Sequence, residues 1–273
     1  MKKKKPDKFK LYLYVLGFLV SVTPLFLQWY SSIYQDQIVQ SYQDVSRSIH
    51  QDTQAMYIQE AMSWNDHLFQ TQEHHGLDTF STNDQMRWDK ILCFPNTTVF
   101  AHLEIPSIHL DVPIYHGVKD ENLINGVGHV DKSSFPISSK SARSVILGHR
   151  GSAASQLFTR LDELDKDDLI YVHILDYTFA YKVIDTEIVE PKVVESYTIL
   201  ENQNLLTLVT CTPYGINSHR LVVHAKEIPY VKQTKDKIHK KIPSFRECIF
   251  RCIPFLFIVG FLLELYRYIL TKD

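Results

Sequence analysis

Hydrophobic positions change their spacing several times along the chain. From Leu11 to Tyr30, "LYLYVLGFLVSVTPLFLQWY", they run almost unbroken and without a charge, over a length that as a helix is about enough to cross a bilayer. From Ser31 to about Trp88 they recur at mixed three and four spacing, as in "IVQSYQDVSRSIHQDTQAMYIQEAMSWNDHLF", with few glycines and no proline, which predicts helices. The segment "EHHGLDTFSTND", Glu73 to Asp84, breaks that pattern with turn residues and reads as a loop. After Phe94 the texture becomes short β-branched and aromatic runs, several of them alternating: "TVFAHLEIP", "LDVPIYHG", "SVILGH", "DLIYVHIL", "FAYKVIDTEIVEP", "NLLTLVTC" and "RLVVHAKEI". Pro, Gly and Asp turns divide them. That many strands within about 135 residues, with few helical stretches between, predict a mainly β fold, a closed or nearly closed barrel with short helices. "SQLFTRLDEL", Ser155 to Leu164, reads as a helical crossover, and a second apolar run, Cys248 to Leu270, closes the chain with Arg251 and Glu264 inside it.

Charge adds orientation rather than partners. The 273 residues carry Lys+Arg 29 against Asp+Glu 31, a balance that gives no reason to expect nucleic acid. Lys2 to Lys5 precede the first apolar run, and no small-residue cleavage pattern follows it, so an uncleaved anchor is favoured over a removed signal. By the positive-inside rule, the N-terminus is cytoplasmic and residues 31–247 lie outside. The second run conflicts with that rule, because its outer flank "KQTKDKIHKKIPSFRECIFR" is more basic than its tail. First spans usually dominate, and basic stretches can rest on anionic headgroups, so both ends are placed inside; a C-terminal helix lying on the membrane is the alternative. The expected organisation is a basic tail and anchor at 1–30, an extracellular helical stalk at 31–97, a catalytic barrel at 98–230, a basic linker at 231–247, and a C-terminal transmembrane helix with a short tail at 248–273.

Four cysteines, Cys93, Cys211, Cys248 and Cys252, are too few for a disulfide-built module. Cys248 and Cys252 stand one helical turn apart and read as an apolar face. Glu73, His74 and His75 read as an exposed polar loop rather than a metal site, and nothing calls for a cofactor. Cys211 is different in its setting: it ends the strand "NLLTLVTC", the loop "TPYGINS" turns the chain, and Arg220 opens the next strand. If the two strands pair as a hairpin, thiol and guanidinium meet across its open end. In "SVILGHRGS", His149 ends another strand between glycines that leave room around it. Taken singly, such residues are ordinarily a small core side chain, a scaffold histidine and a solvated arginine. Together they bring a thiol, an imidazole and a cation to strand ends, the combination that activates a nucleophilic cysteine.

The motifs "LGHRG", "TLVTCTPYGINSHRL", "LEIPSIHLDVPIYHG" and "GVGHV" resemble the sortase family, specifically the class C enzymes that polymerise pilins in Gram-positive bacteria. The resemblance covers about residues 98 to 230 and implies a sortase-like barrel with Cys211 as nucleophile, His149 as acid and base, and Arg220 as substrate or oxyanion stabiliser. It implies a transpeptidase, at the cell membrane with its catalytic domain outside, that cleaves an LPxTG-type sorting signal and passes the acyl group to an amine. A pilin lysine is the favoured acceptor and a peptidoglycan-precursor amine the alternative; water as acceptor, or a silent tethered binding domain, are lesser readings. The family resemblance also suggests a lid, an Asp-Pro-aromatic tripeptide, for which "LDTFS" supplies Asp78 and Phe80 but has Thr79 in place of proline.

Overall fold

The computed structural model describes residues 8–75, 82–150, 155–231, 241–242 and 245–270. The lid residues Asp78 and Phe80 lie outside the described residues. Two compact units are present, one built from Met1–Ser31 and Ile242–Asp273, the other from Ser32–Lys241.

Helix α1 (Lys8–Ser48) begins in the first unit and is, by length and composition, long and apolar enough to cross a membrane. Helix α5 (Phe245–Leu270) packs against its first part. The contact is reciprocal: a β-carbon at Gly17 would run into the Phe257 ring, and one at Gly260 into the Tyr14 ring. Each helix thus sets an aromatic ring over the other's glycine, the close approach that small residues allow between apolar helices.

The second unit holds a closed barrel in the order β1-β2-β3-β4-β7-β8-β6-β5. Its strands are β1 (Val99–Ile105), β2 (Leu110–His116), β3 (Val127–His129), β4 (Ala142–Leu147), β5 (Leu169–Ile174), β6 (Tyr177–Val189), β7 (Asn204–Thr212) and β8 (His219–Ile228), with a short helix, α4 (Asp120–Asn125), between β2 and β3. The β2/β3 and β4/β7 pairs are parallel and the others antiparallel. Alternation decides which side chains fill the interior. Leu206 and Leu208 of β7 and Leu221, Val223 and Ala225 of β8 join the main core, while Val209 and Val222 belong to a separate cluster on the other face. The seven strand-like runs correspond to seven strands, and the crossover at 155–164 forms a 3-10 helix, Leu157–Glu163. Strand β3 has three residues, too few for a period of two to register.

The segment expected as a stalk is instead a packed part of the barrel unit. Tyr42 in α1 and Trp64 and Leu68 in α2 (Gln51–His75) are buried in the main core, each contributing on the order of 2 kcal/mol of apolar burial. Polar side chains then dock these helices onto barrel peptide groups. The Tyr42 hydroxyl donates to the Phe100 carbonyl at 2.8 Å and accepts from the Leu175 N–H at 2.8 Å. Asn65 brackets Phe135 from both sides, donating to its carbonyl at 2.9 Å and accepting from its N–H at 2.8 Å. Gln54 donates to the Ser46 and Ile49 carbonyls, satisfying the C-terminal end of α1, and to Asp176 at 3.0 Å. The spacing of apolar positions carries no mark of these polar contacts, so it predicts the helices but not their docking. Helix α2 also continues through His75 and α3 (Thr82–Trp88) begins two residues before Asp84, so both ends of the stretch expected as a loop are helical.

Trp88, at the end of α3, enters the barrel among Phe100, His116, His129 and Phe135. Burial lowers the His116 pKa to about 4 and that of His129 to about 3, so both imidazoles are neutral in the fold. These histidines of "PIYHG" and "GVGHV" are therefore core residues.

Candidate active site

Cys211 and Arg220 are direct cross-strand partners at the end of the β7/β8 hairpin, and directly opposed residues share a face. The turn between them needs left-handed backbone, supplied by Gly215 at φ 79° and Asn217 at φ 60°. Arg220 Nη1 donates to the carbonyls of Asn217 at 3.2 Å and His219 at 3.1 Å, which holds the guanidinium at the mouth of the turn. A guanidinium has five N–H donors, more than these contacts use.

His149 arrives from β4. The parallel β4/β7 ladder ends with Leu147 opposite Val209, and continuing its register sets His149 level with Cys211. Just past the ladder, the Gly148 N–H donates to the Val209 carbonyl at 3.1 Å and the Thr210 hydroxyl donates to the Gly148 carbonyl at 2.7 Å. The Phe158 N–H of the 3-10 helix donates to the His149 carbonyl at 3.1 Å. Gly148 is required for this approach, because a β-carbon there would stand 2.7 Å from the Phe158 ring and 2.9 Å from Val127. Cys211, His149 and Arg220 are all partly exposed, so the three expected site residues share one mouth of the barrel and are open to a substrate.

The same face continues away from Cys211 as an apolar cluster. Val145, Val209 and Val222 are buried at its centre, with the partly buried Val130, Leu147, Val189, Val194 and Tyr197 packed against them. Val194 lies in a 3-10 helix, Pro191–Ser196, that follows β6. Beyond the valines lies a polar end, on residues that the sequence reading passed over. Arg143 donates to the Thr198 carbonyl at 2.7 Å and the Thr207 hydroxyl at 3.1 Å, and lies over the Tyr197 ring. His224 pairs with Glu187 at 2.9 Å, and the Tyr197 hydroxyl donates to the same carboxylate at 2.5 Å. Those two bonds, the Tyr197 one foremost, hold the Glu187 carboxyl below its usual range. The signal for this face was present in the alternation of β7, which sets Thr207, Val209 and Cys211 on one side. Its partners come from distant strands, and no spacing in the sequence shows them.

Residues 103–228 match the family model described as the Sortase domain. Sortase D from Bacillus subtilis (strain 168) is 30% identical over 129 residues, 46% of this chain and 62% of that protein. Sortase A from Bacillus anthracis is 29% identical over 127 residues, 46% of this chain and 58% of that protein. The chain thus spans about three fifths of the length of these curated relatives. The crystal structure of sortase C1 from Streptococcus agalactiae matches with a TM-score of 0.67 at 31% identity, covering 71% of this chain and 100% of that one. That of sortase C from Streptococcus pneumoniae matches at 0.61 and 28%, covering 71% and 97%. A match over the whole of a solved sortase, rather than over a motif alone, means that this chain belongs to the sortase family of cysteine transpeptidases, and its structural neighbours are class C sortases.

Proposed function

We propose that the protein is a membrane-anchored transpeptidase that cleaves an LPxTG-type sorting signal and joins the released acyl group to a pilin lysine, building covalent pili. The observation that carries this reading is the cross-strand pair of Cys211 and Arg220 beside an apolar cluster on the same face, with His149 level with the cysteine. An extended peptide laid along the side chains that cover those valines, Leu147, Val189 and Tyr197 among them, would bring its threonine carbonyl to Cys211. The Cys211 thiolate adds to that carbonyl carbon, and Arg220 donates charge-assisted hydrogen bonds to the oxyanion as it forms. An amine leaves poorly unless protonated, so His149 gives its proton to the glycine nitrogen as the C–N bond breaks. A thioester on Cys211 remains. The incoming lysine amine, its proton taken by His149, attacks the thioester, the C–S bond breaks, and the thiolate returns with an isopeptide bond formed.

The resemblance to class C sortases favours a pilin lysine over a peptidoglycan-precursor amine. In this reading the helix from Lys8 crosses the membrane, α5 crosses it a second time, and the barrel unit lies outside. The full-length protein incubated with candidate pilins tests the acceptor: a ladder of covalent polymers is expected. Product only with an added wall-precursor amine would select the wall-anchoring alternative, and no thioester with any sorting signal would overturn the reading.

A further inference from the structure

Arg150 follows His149 and has a buried side chain, 9% exposed. Its Nη1 donates to the Thr212 hydroxyl at 2.9 Å, and its Nη2 pairs with Asp162 of the 3-10 helix at 2.5 Å. Thr212 follows Cys211 in β7 and is buried as well. Neighbouring residues in extended chain point to opposite sides, so the guanidinium lies behind the reacting groups. It links the residue after the histidine to the residue after the cysteine.

The placement matters because the backbone ladder has run out. The last β4/β7 pair is Leu147 with Val209, and among the described residues the bonds of Gly148 to Val209 and Thr210 are the final backbone-anchored ties between the two strands. One residue beyond the level of His149 and Cys211, the side-chain link from Arg150 to Thr212 takes the ladder's place. Asp162 supplies the counter-charge without which a buried guanidinium would be strongly unfavourable.

Resting on the reading of His149 and Cys211 as the reacting pair, we infer that Arg150 is a positioning residue: its clamp on Thr212 and Asp162 sets the reach of the imidazole toward the thiol. Lysine could not make both contacts with one planar fork.

The test uses the full-length protein in detergent, with iodoacetamide as probe of Cys211, read site by site by mass spectrometry, and turnover of an LPxTG peptide. Thr212→Val keeps the shape and removes the hydroxyl. It is expected to slow Cys211 alkylation and kcat by roughly tenfold with KM unchanged, the scale of a small misplacement of reacting groups. Thr212→Ser should restore both, Arg150→Lys should behave as Thr212→Val does, and Cys93 should react at its wild-type rate throughout. If Arg150→Lys does not fold, the Thr212 pair decides alone. Wild-type behaviour of Thr212→Val, or equal loss in Thr212→Val and Thr212→Ser, overturns the inference. His149→Ala separates the two levels: if it leaves alkylation unchanged, the reacting-pair reading falls and this inference with it. If it slows alkylation while Thr212→Val does not, this inference alone falls.

Discussion

Gln72 of α2 brackets the backbone of Ile199, its amide nitrogen donating to the carbonyl at 3.1 Å and its amide oxygen accepting from the N–H at 2.8 Å. Ile199 belongs to the segment between β6 and β7 whose Val194 and Tyr197 pack on the valine cluster beside Cys211, so a helix outside the barrel holds that wall of the site. Replacing Gln72 by Ala removes two hydrogen bonds, each with a net value of about 1 kcal/mol. The expected result is a KM for a sorting-signal peptide raised roughly tenfold, with kcat little changed, since in the proposed reaction this wall borders the peptide and touches no reacting atom. Steady-state kinetics on the purified protein check it, and an unchanged KM would mean that the wall stands without α2.

Cys211→Ala should abolish thioester formation and polymerisation while leaving the thermal unfolding midpoint close to wild type. The side chain is partly exposed at the barrel mouth, so losing its sulfur leaves no large cavity. Cys93 is also free and exposed, and Cys93→Ala should keep full activity. Trapping the acyl-enzyme by mass spectrometry distinguishes the two, and an active Cys211→Ala would move the nucleophile elsewhere.

Arg220→Lys keeps the charge and loses the fork. Nη1 already holds the turn through the Asn217 and His219 carbonyls, so the planar group has to serve the turn and an oxyanion together. A drop in kcat on the order of a hundredfold is expected, the scale of losing one oxyanion donor. Near-native turnover would show that a positive field alone suffices.

What the sequence made legible follows from chain distance. Cys211 and Arg220 close one hairpin, so their meeting could be read from strand, turn and strand, and the register sets them opposite one another. The level of His149 with Cys211 depends on a parallel pairing between strands far apart in the chain, and only the family resemblance linked them beforehand. The docking role of the helices was hidden because Asn65 and Gln72 bond to backbone groups, and backbone carries no residue-specific signal. The clamp of Arg150 on Thr212 was equally silent, a side chain reaching behind the site to a residue known only for its neighbour.

His116 and His129 make the fold sensitive to acid. Burial lowers their pKa values from 6.5 to about 4 and about 3, so in the folded state both stay neutral well below the pH at which the unfolded chain takes up protons. The unfolded state therefore binds more protons from about pH 6.5 downward, and stability that is present above 6.5 is lost as pH falls toward the folded values. Between pH 7 and 5.5 each histidine should withdraw about 1 kcal/mol, or about 2 kcal/mol for the pair. The Asp131 carboxyl, raised by burial, contributes with the opposite sign. Urea unfolding of the full chain in detergent, at pH 7 and pH 5.5, reads the effect. His116 packs 4.6 Å from the Phe100 ring and edge-on to Trp88, an environment that suits an aromatic replacement. His116→Phe should keep the fold at pH 7 and lose about half of the acid sensitivity. A wild-type midpoint that does not move over that interval would mean that neither histidine is held neutral by the aromatic core.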